Sequence, residues 1–411
     1  MSGASRLLCT LVYLVAASAA FAQTPLYPDA GALSLTKAAW QRPSALKYSG
    51  SSTATGTSRA FNPAISVNGL FLGFYTSEPF AREPAFGETH EHESGHDTEE
   101  PEVHEHEEEE GGHAHAHGLP GETGMSVQEV EVRFSAFIDA YLKGDLTLAI
   151  PGTEGLEVEE VVLTTVGLPN VTLTAGKLYA QFGKHNALHT HAFPFLDPPI
   201  ANERVLGGEG LNEVGFGASF LLPSAWYSEI SAQVLDGKNP LFASAEGRDF
   251  VYAGRWRNLW DLNDATTGEL GGSYAGGKNS HGELTQLLGC DLTVKWRPLR
   301  RARDRAFIFQ AEYLRARVNN EHDLGKAGGL YALMQTQIAS RWWLQARYDR
   351  FSISDLEDEK EHRVSGLLAF VPTEFTTVRL QYGLNRTHTE DIHQIAIQLN
   401  YTMGSHPAHE Y

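Results

Sequence analysis

The sequence predicts an all-β protein: a transmembrane antiparallel β-barrel of about 16 strands (14–18) with a disordered His/Glu-rich outer loop. Three observations predict it. The chain begins like an exported protein, its apolar residues recur with period two, and short connections alternate with long ones.

The export signal comes first. In MSGASRLLCTLVYLVAASAAFAQ, Arg6 precedes an apolar run from Leu7 to Ala17, and small residues Ala20 and Ala22 precede Gln23. That is the order of a secretory signal peptide, so residues 1–22 are expected to be removed. The run is too short to cross a bilayer as a helix. With Cys9 in the signal, the mature chain keeps Cys290 and can form no internal disulfide. A large exported protein then needs a big core or a closed hydrogen-bonded barrel. Residues 23–60, rich in Ser, Ala, Thr and Gly, read as a flexible periplasmic segment. Residues 61–411 read as the barrel.

A first strand is expected near Ile65–Tyr75, followed by the His/Glu-rich loop over 77–124. The clearest strand is SVQEVEVRFSAFIDAY. Val130, Val132, Phe134, Ala136, Ile138 and Ala140 fall on one face, and Glu129, Glu131, Arg133, Ser135 and Asp139 on the other. LKGD reads as a tight turn before Leu146, PGTEG as the next join and GLPN as a turn. NVTLTAGKLYAQFG, GLNEVGFGASFLLP, AWYSEISAQVL, TQLLGCDLTVKWRP, AFIFQAEYLRARV, GLYALMQTQIA, RWWLQARYDRF, HRVSGLLAFVP, FTTVRLQYGLN and IHQIAIQLNYT repeat the alternation. Each approaches the roughly 9–11 residues a tilted strand needs to span a bilayer. Their polar faces carry Lys177, Gln233, Asp291, Glu312, Arg379 and Gln381. The pattern is weakest over 251–276, and the segments 146–150 and 158–166 are short. A soluble sandwich would alternate too. Export, long strands, aromatic residues near strand ends and the lack of disulfides favour lipid outside and a polar lumen.

Long connections (the His/Glu tract, GKHNALHTHAFPFLDPPIANERVLGGE and DGKNPLFASAEGRD) alternate with tight turns such as LPSA, ASR and PTE. Both termini are therefore expected on the periplasmic side. The net charge is -19, and residues 90–118 contain no lysine or arginine. Nucleic acid is not expected as a partner, since phosphate binding needs basic patches. No nucleophile elbow or phosphate-binding glycine loop is present, and an enzyme is not expected.

The chemistry lies in two histidine groups. His90, His92, His96, His104, His106, His113, His115 and His117 lie among carboxylates as H-x-H pairs and an H-x-H-x-H run. Histidines two apart in a flexible chain can close on one ion, and imidazole suits Zn²⁺, Ni²⁺ and Cu²⁺. Binding without fixed geometry should be labile, unselective and weaker in acid. The alternative is a solvated acidic loop. His185, His189 and His191, with Asp197 nearby, form a second candidate on the third outer loop. Their alternative role is to hydrogen-bond a Pro- and Phe-rich loop.

FNPAIS (61–66), GLEVEEVVLTT (155–165), GEGLNEVG (208–215), RNLWDLNDATTGELGGSYAGGKN (257–279), LLGCDLTVKWRP (287–298), SRWWLQARYDR (340–350) and GSHPAHEY resemble a family of bacterial outer-membrane porin-like proteins. Its members are labelled zinc-regulated TonB-dependent outer membrane receptors. The resemblance implies an outer-membrane barrel and an association with zinc. It also implies a terminal aromatic, Tyr411, for the barrel-assembly machinery. The expected function is an outer-membrane channel whose His/Glu loop collects divalent cations, with outer-membrane lipid and a homotrimer as further partners. A metal-binding surface protein on a non-conducting barrel, and a TonB-coupled receptor for a metal complex, are the alternatives.

Overall fold

Every strand pairs with the strand before it and the strand after it, and the last closes on the first. The computed structural model describes residues 63–80, 85, 118–153, 155–243, 249–319, 324–353 and 360–404. The strands are β1 (Ala64–Thr76), β2 (Gly124–Phe137), β3 (Leu142–Pro151), β4 (Glu157–Thr165), β5 (Val171–Tyr179), β6 (Asn212–Leu221), β7 (Tyr227–Leu235) and β8 (Val251–Asn263). They continue as β9 (Thr266–Lys278), β10 (Leu284–Trp296), β11 (Phe307–Asn319), β12 (Leu324–Ala339), β13 (Trp342–Ile353), β14 (Lys360–Thr373), β15 (Thr376–Arg386) and β16 (Asp391–Gly404). Closure runs from Ser66 opposite Gly404 to Thr76 opposite Gln394. A closed barrel satisfies its backbone polar groups without water, as a hydrocarbon environment demands.

The faces divide as period two requires. In β16, Gln394, Ala396 and Gln398 are buried, while Ile395, Ile397 and Leu399 are exposed. Phe71, Phe216, Ile230, Trp256, Val364 and Leu380 extend the exposed apolar face around the wall. A polar inner face, an apolar outer face and an even strand number make this an outer-membrane barrel. Phe216→Arg, at the middle of β6 and 73% exposed, is expected to cost about 2–4 kcal/mol in a bilayer and little in detergent. Equilibrium unfolding in both media checks it.

The end holding residues 64 and 404 is closed by short connections, 138–141, 166–170, 264–265, 340–341 and 374–375, with 297–306 the longest. The opposite end carries 77–123, 180–211 and 236–250. Short turns face the periplasm, so the long loops face outward. The weak stretch 251–276 is two full strands, β8 and β9, and the short segments 146–150 and 158–166 lie within β3 and β4.

Three local expectations need correction. LKGD is not the turn: β2 ends at Phe137, the turn is 138–141, and Leu142–Asp145 already belong to β3. The Asp139 carboxylate caps that turn by accepting from the Tyr141 and Leu142 amides at 2.7 and 2.8 Å. Ile138, Asp139 and Ala140 therefore do not continue the faces of β2. Lys177 leaves the polar face as well. It stands opposite the exposed Val161, and directly opposed residues share a face.

The loop over 180–211 turns into the barrel. Its helix α1 (Ile200–Leu206) packs on β11, β12 and β13. Ile200, Val205 and Leu206 share a buried apolar cluster with Leu314, Ala316 and Phe351. Phe195 and Leu196 join Leu72, Tyr331, Leu333 and Leu367 in a second. These strand residues face the lumen, so the loop occupies part of it, and burial of its Pro- and Phe-rich stretch drives it there. Gly183 makes the entry possible. Its φ is +61°, in the left-handed region that glycine adopts without strain, and a Cβ there would run into the Glu312 carboxylate.

Candidate metal centre

A bulge in β4 prepares one wall of the site. Thr147 pairs with Glu160 and Leu148 with Val158, which leaves Glu159 as the extra residue. Val158 and Val161 both face outward, so Glu159 and Glu160 both face the lumen. Nearby on the wall, β2 presents Glu129 and Glu131, both buried. The inturned loop places a 3-10 turn (Thr190–Ala192) against them.

His189 sits among three carboxylates. Its Nδ1 is 3.0 Å from Glu159 Oε2 and 3.3 Å from Glu131 Oε2, and its Nε2 is 3.0 Å from Glu160 Oε2. His191 Nδ1 lies 2.9 Å from Glu131 Oε2. The two imidazoles stack with centroids 5.9 Å apart. Glu131, Glu159 and His189 each offer a ligand atom, all within 4.8 Å of one another. Outer partners orient the carboxylates. The Tyr179 hydroxyl donates to Glu159 at 2.6 Å, Asn68 to Glu131 at 3.3 Å and the Thr190 hydroxyl to Glu129 at 2.9 Å. A mixed carboxylate and imidazole donor set with such support fits a zinc-class divalent cation.

Burial alone would depress the His189 pKa, but bonding to Glu159, Glu160 and Glu131 outweighs it and raises it well above the usual imidazole value. Without a metal, His189 is therefore an imidazolium that partly neutralises the carboxylates. His185 is different. Burial, with Arg347 adding to it, pushes its pKa down to about 3. Its ring packs 4.5 Å from Phe193 and 6.4 Å from Tyr331. The structure thus brings His189 and His191 together and leaves His185 apart, as a neutral core residue. Asp197 is also apart from the pair.

Asp197 belongs to a clamp on another wall. Arg347 on β13, Arg363 on β14 and Arg379 on β15 all face the lumen and are buried. Arg347 Nη2 donates to Asp197 at 3.0 Å and its Nε to Asp349 at 2.8 Å. Arg363 also pairs with Asp197, and Gln381 donates to it at 2.9 Å. Arg379 donates to the Phe193 carbonyl at 2.6 Å. The loop is thus fixed to one wall by cations and to the other by anions.

His90, His92, His96, His104, His106, His113, His115 and His117 lie outside the described residues, as do residues 1–62 and the tail from 405 to 411. The tract spells H-E-x-x-H at His92–His96, a spacing that serves zinc chemistry only on a helix. Both described stems of the tract dock on the inturned loop. Ala85 N donates to the Arg204 carbonyl at 2.7 Å. Gln128 bridges Gly118 O at 3.4 Å and Leu196 O at 3.0 Å. Phe80 and Leu119 pack on the cluster holding Phe195 and Leu196.

The three carboxylates of the centre, Glu131, Glu159 and Glu160, were not among the metal candidates in the sequence. The usable signal was the pair Glu159-Glu160 inside an alternating strand, because two successive acids on one face require a bulge.

No family model matches the chain. An uncharacterized protein of Aquifex aeolicus is 30% identical over 343 residues, covering 70% of each chain. Among solved structures, an anion-selective porin from Comamonas acidovorans superposes with TM-score 0.54 at 9% identity, covering 83% of this chain and 100% of that one. The outer-membrane channel DcaP of Acinetobacter baumannii gives 0.54 at 10% identity over 85% and 100%. OmpF of Salmonella typhi gives 0.50 at 11% over 83% and 98%. The fold is therefore a porin fold.

Proposed function

Since the chain belongs to one family with the Aquifex aeolicus protein and folds as a porin barrel, we propose that it is an outer-membrane channel for divalent cations, zinc first among them. The observation that carries this reading is the lumen centre: His189 within 3.0–3.3 Å of Glu131, Glu159 and Glu160, with His191 on Glu131. The described stems of the tract dock on that loop, so a cation gathered by the tract's histidines and carboxylates would meet a second donor set at the lumen centre. Capture is coordinative and electrostatic, and passage is by diffusion. Sixteen strands suit a porin better than the 22-stranded, plugged transporters, so the proposed mechanism is not energy-coupled. The zinc association of the resembling family supports the choice of metal.

The test is zinc flux into liposomes holding the full chain or a variant lacking Glu88–Gly118. The full chain is expected to pass zinc, and the deletion to slow entry at micromolar zinc more than at millimolar zinc. Equal flux at all concentrations would remove the tract from the mechanism. A second reading has its own observation: the inturned loop buries Phe195, Leu196, Ile200 and Leu206 inside the barrel. On that reading the barrel is a closed anchor for a metal-binding surface. Absence of conductance in planar bilayers would favour it.

A further inference from the structure

The outer face of β11–β15 carries charge where a lipid-facing wall should be apolar. Arg315 and Arg317 on β11, Lys326 on β12, Arg350 on β13, Lys360 on β14 and Arg386 on β15 all lie near the outward end of their strands. Their strand neighbours Leu314, Ala316, Phe351, Glu361 and Asn385 are buried in the lumen, so these side chains take the opposite, lipid side.

Register groups them further. Arg317 stands opposite Lys326. Arg350 stands opposite His362, and His362 opposite Arg386. Directly opposed like charges repel across a sheet, so Arg317 and Lys326 call for an anion between them, and Arg350 and Arg386 stand on either side of His362 close by. Asp391, 3.3 Å from Arg386, supplies one carboxylate at the edge of the patch.

Depth identifies the partner. Tyr348 and Tyr382 lie on the same outer face, and their hydroxyls bond His362 and His393 at 2.9 and 2.8 Å. Tyrosines on a lipid-facing wall mark the boundary between hydrocarbon and headgroups. Arg350 and Arg386 sit beyond that level along their strands, toward the outward end. The cations therefore stand at headgroup height in the outer leaflet, several strands wide, against an apolar wall formed by Val364, Leu380 and Ile395. We propose that this patch binds the phosphates of a phosphorylated glycolipid of the outer leaflet, whose acyl chains lie on the apolar wall below. Arginine and lysine supply the charge-assisted hydrogen bonds that phosphate monoesters accept.

The test uses the full chain in detergent with lipid A as the probe. The comparison variant is Arg317→Gln, Lys326→Gln, Arg350→Gln and Arg386→Gln combined. The intact chain is expected to retain lipid A through gel filtration, and the variant to bind it at least about tenfold more weakly, as loss of four headgroup-level cations implies. Dephosphorylated lipid A should bind the intact chain as weakly as lipid A binds the variant. Resistance of the folded barrel to SDS without heating, together with unchanged conductance, shows that the variant is folded. Arg350→Gln alone serves if the combination does not assemble. Equal binding of lipid A by a folded variant, or of dephosphorylated lipid A by the intact chain, overturns the proposal. So does full competition by millimolar inorganic phosphate, which would make the patch an anion site without lipid.

Discussion

Asp197→Ala is expected to lower the stability of the barrel by about 3–5 kcal/mol and to release the 180–211 loop from the wall. The Asp197 carboxylate binds Arg347, Arg363 and Gln381, and all four residues are buried. Its removal leaves both arginines on the single carboxylate of Asp349 that they already share, at 2.8 Å and 3.3 Å. An uncompensated buried charge is costly, and water entering to solvate it would lift the loop. Urea unfolding in detergent should show the loss, and single-channel recordings should show larger or noisier openings. Asp197→Asn keeps the shape and is expected to fall between. A variant with wild-type stability and wild-type conductance would mean that the clamp does not hold the loop.

Glu131→Gln with Glu159→Gln is expected to weaken zinc binding at the lumen centre by at least about 100-fold, the upper end of what loss of even a supporting partner costs. The measurement belongs in a chain lacking Glu88–Gly118, so that the tract does not mask the site. The pH dependence has a definite sign. His189 holds its proton well above the usual imidazole range because three carboxylates surround it. Its raised pKa stabilises the folded loop fully below the ordinary imidazole value, and that contribution is lost as pH rises through the folded pKa. Zinc must displace this proton. Affinity should therefore rise with pH through the same window, and calorimetry in buffers of differing ionisation enthalpy should show proton release at pH 7. Zinc binding that is indifferent to both pH and the double substitution would remove His189 and its carboxylates from the site.

Much of the barrel was legible in the sequence because its physics is local. Strand faces follow from period two, as in Val130, Val132 and Phe134 against Glu129, Glu131 and Arg133. Loop lengths gave the orientation, and the strand number was readable to within two. The errors came where a local rule has two solutions. Asp139 continues the polar period of β2, yet its carboxylate caps a turn. Lys177 shares the parity of Val171 and Leu173, so period two itself puts it on the outward face, where it stands opposite Val161; its charge alone suggested the lumen.

The site was less legible. Histidine spacing picked out His185, His189 and His191 as a group, because spacing along a loop says only that residues can meet. The lumen decided which of them do: His189 and His191 face the acids of β2 and β4, while His185 turns into an apolar layer with Phe193 and Tyr331. Asp197 is close to them in sequence, yet arginines on β13 and β14, about 150 residues and more away, hold it. The sequence by itself determined the alternating wall, its closure into a barrel and the long histidine-bearing connection between β5 and β6, since each depends on composition or short-range period. Only the tertiary structure decided that one loop folds inward, which carboxylates meet its histidines and where cations gather on the lipid side. Those outcomes depend on register between strands and on burial of charge inside a closed wall, and neither is a property of any single segment.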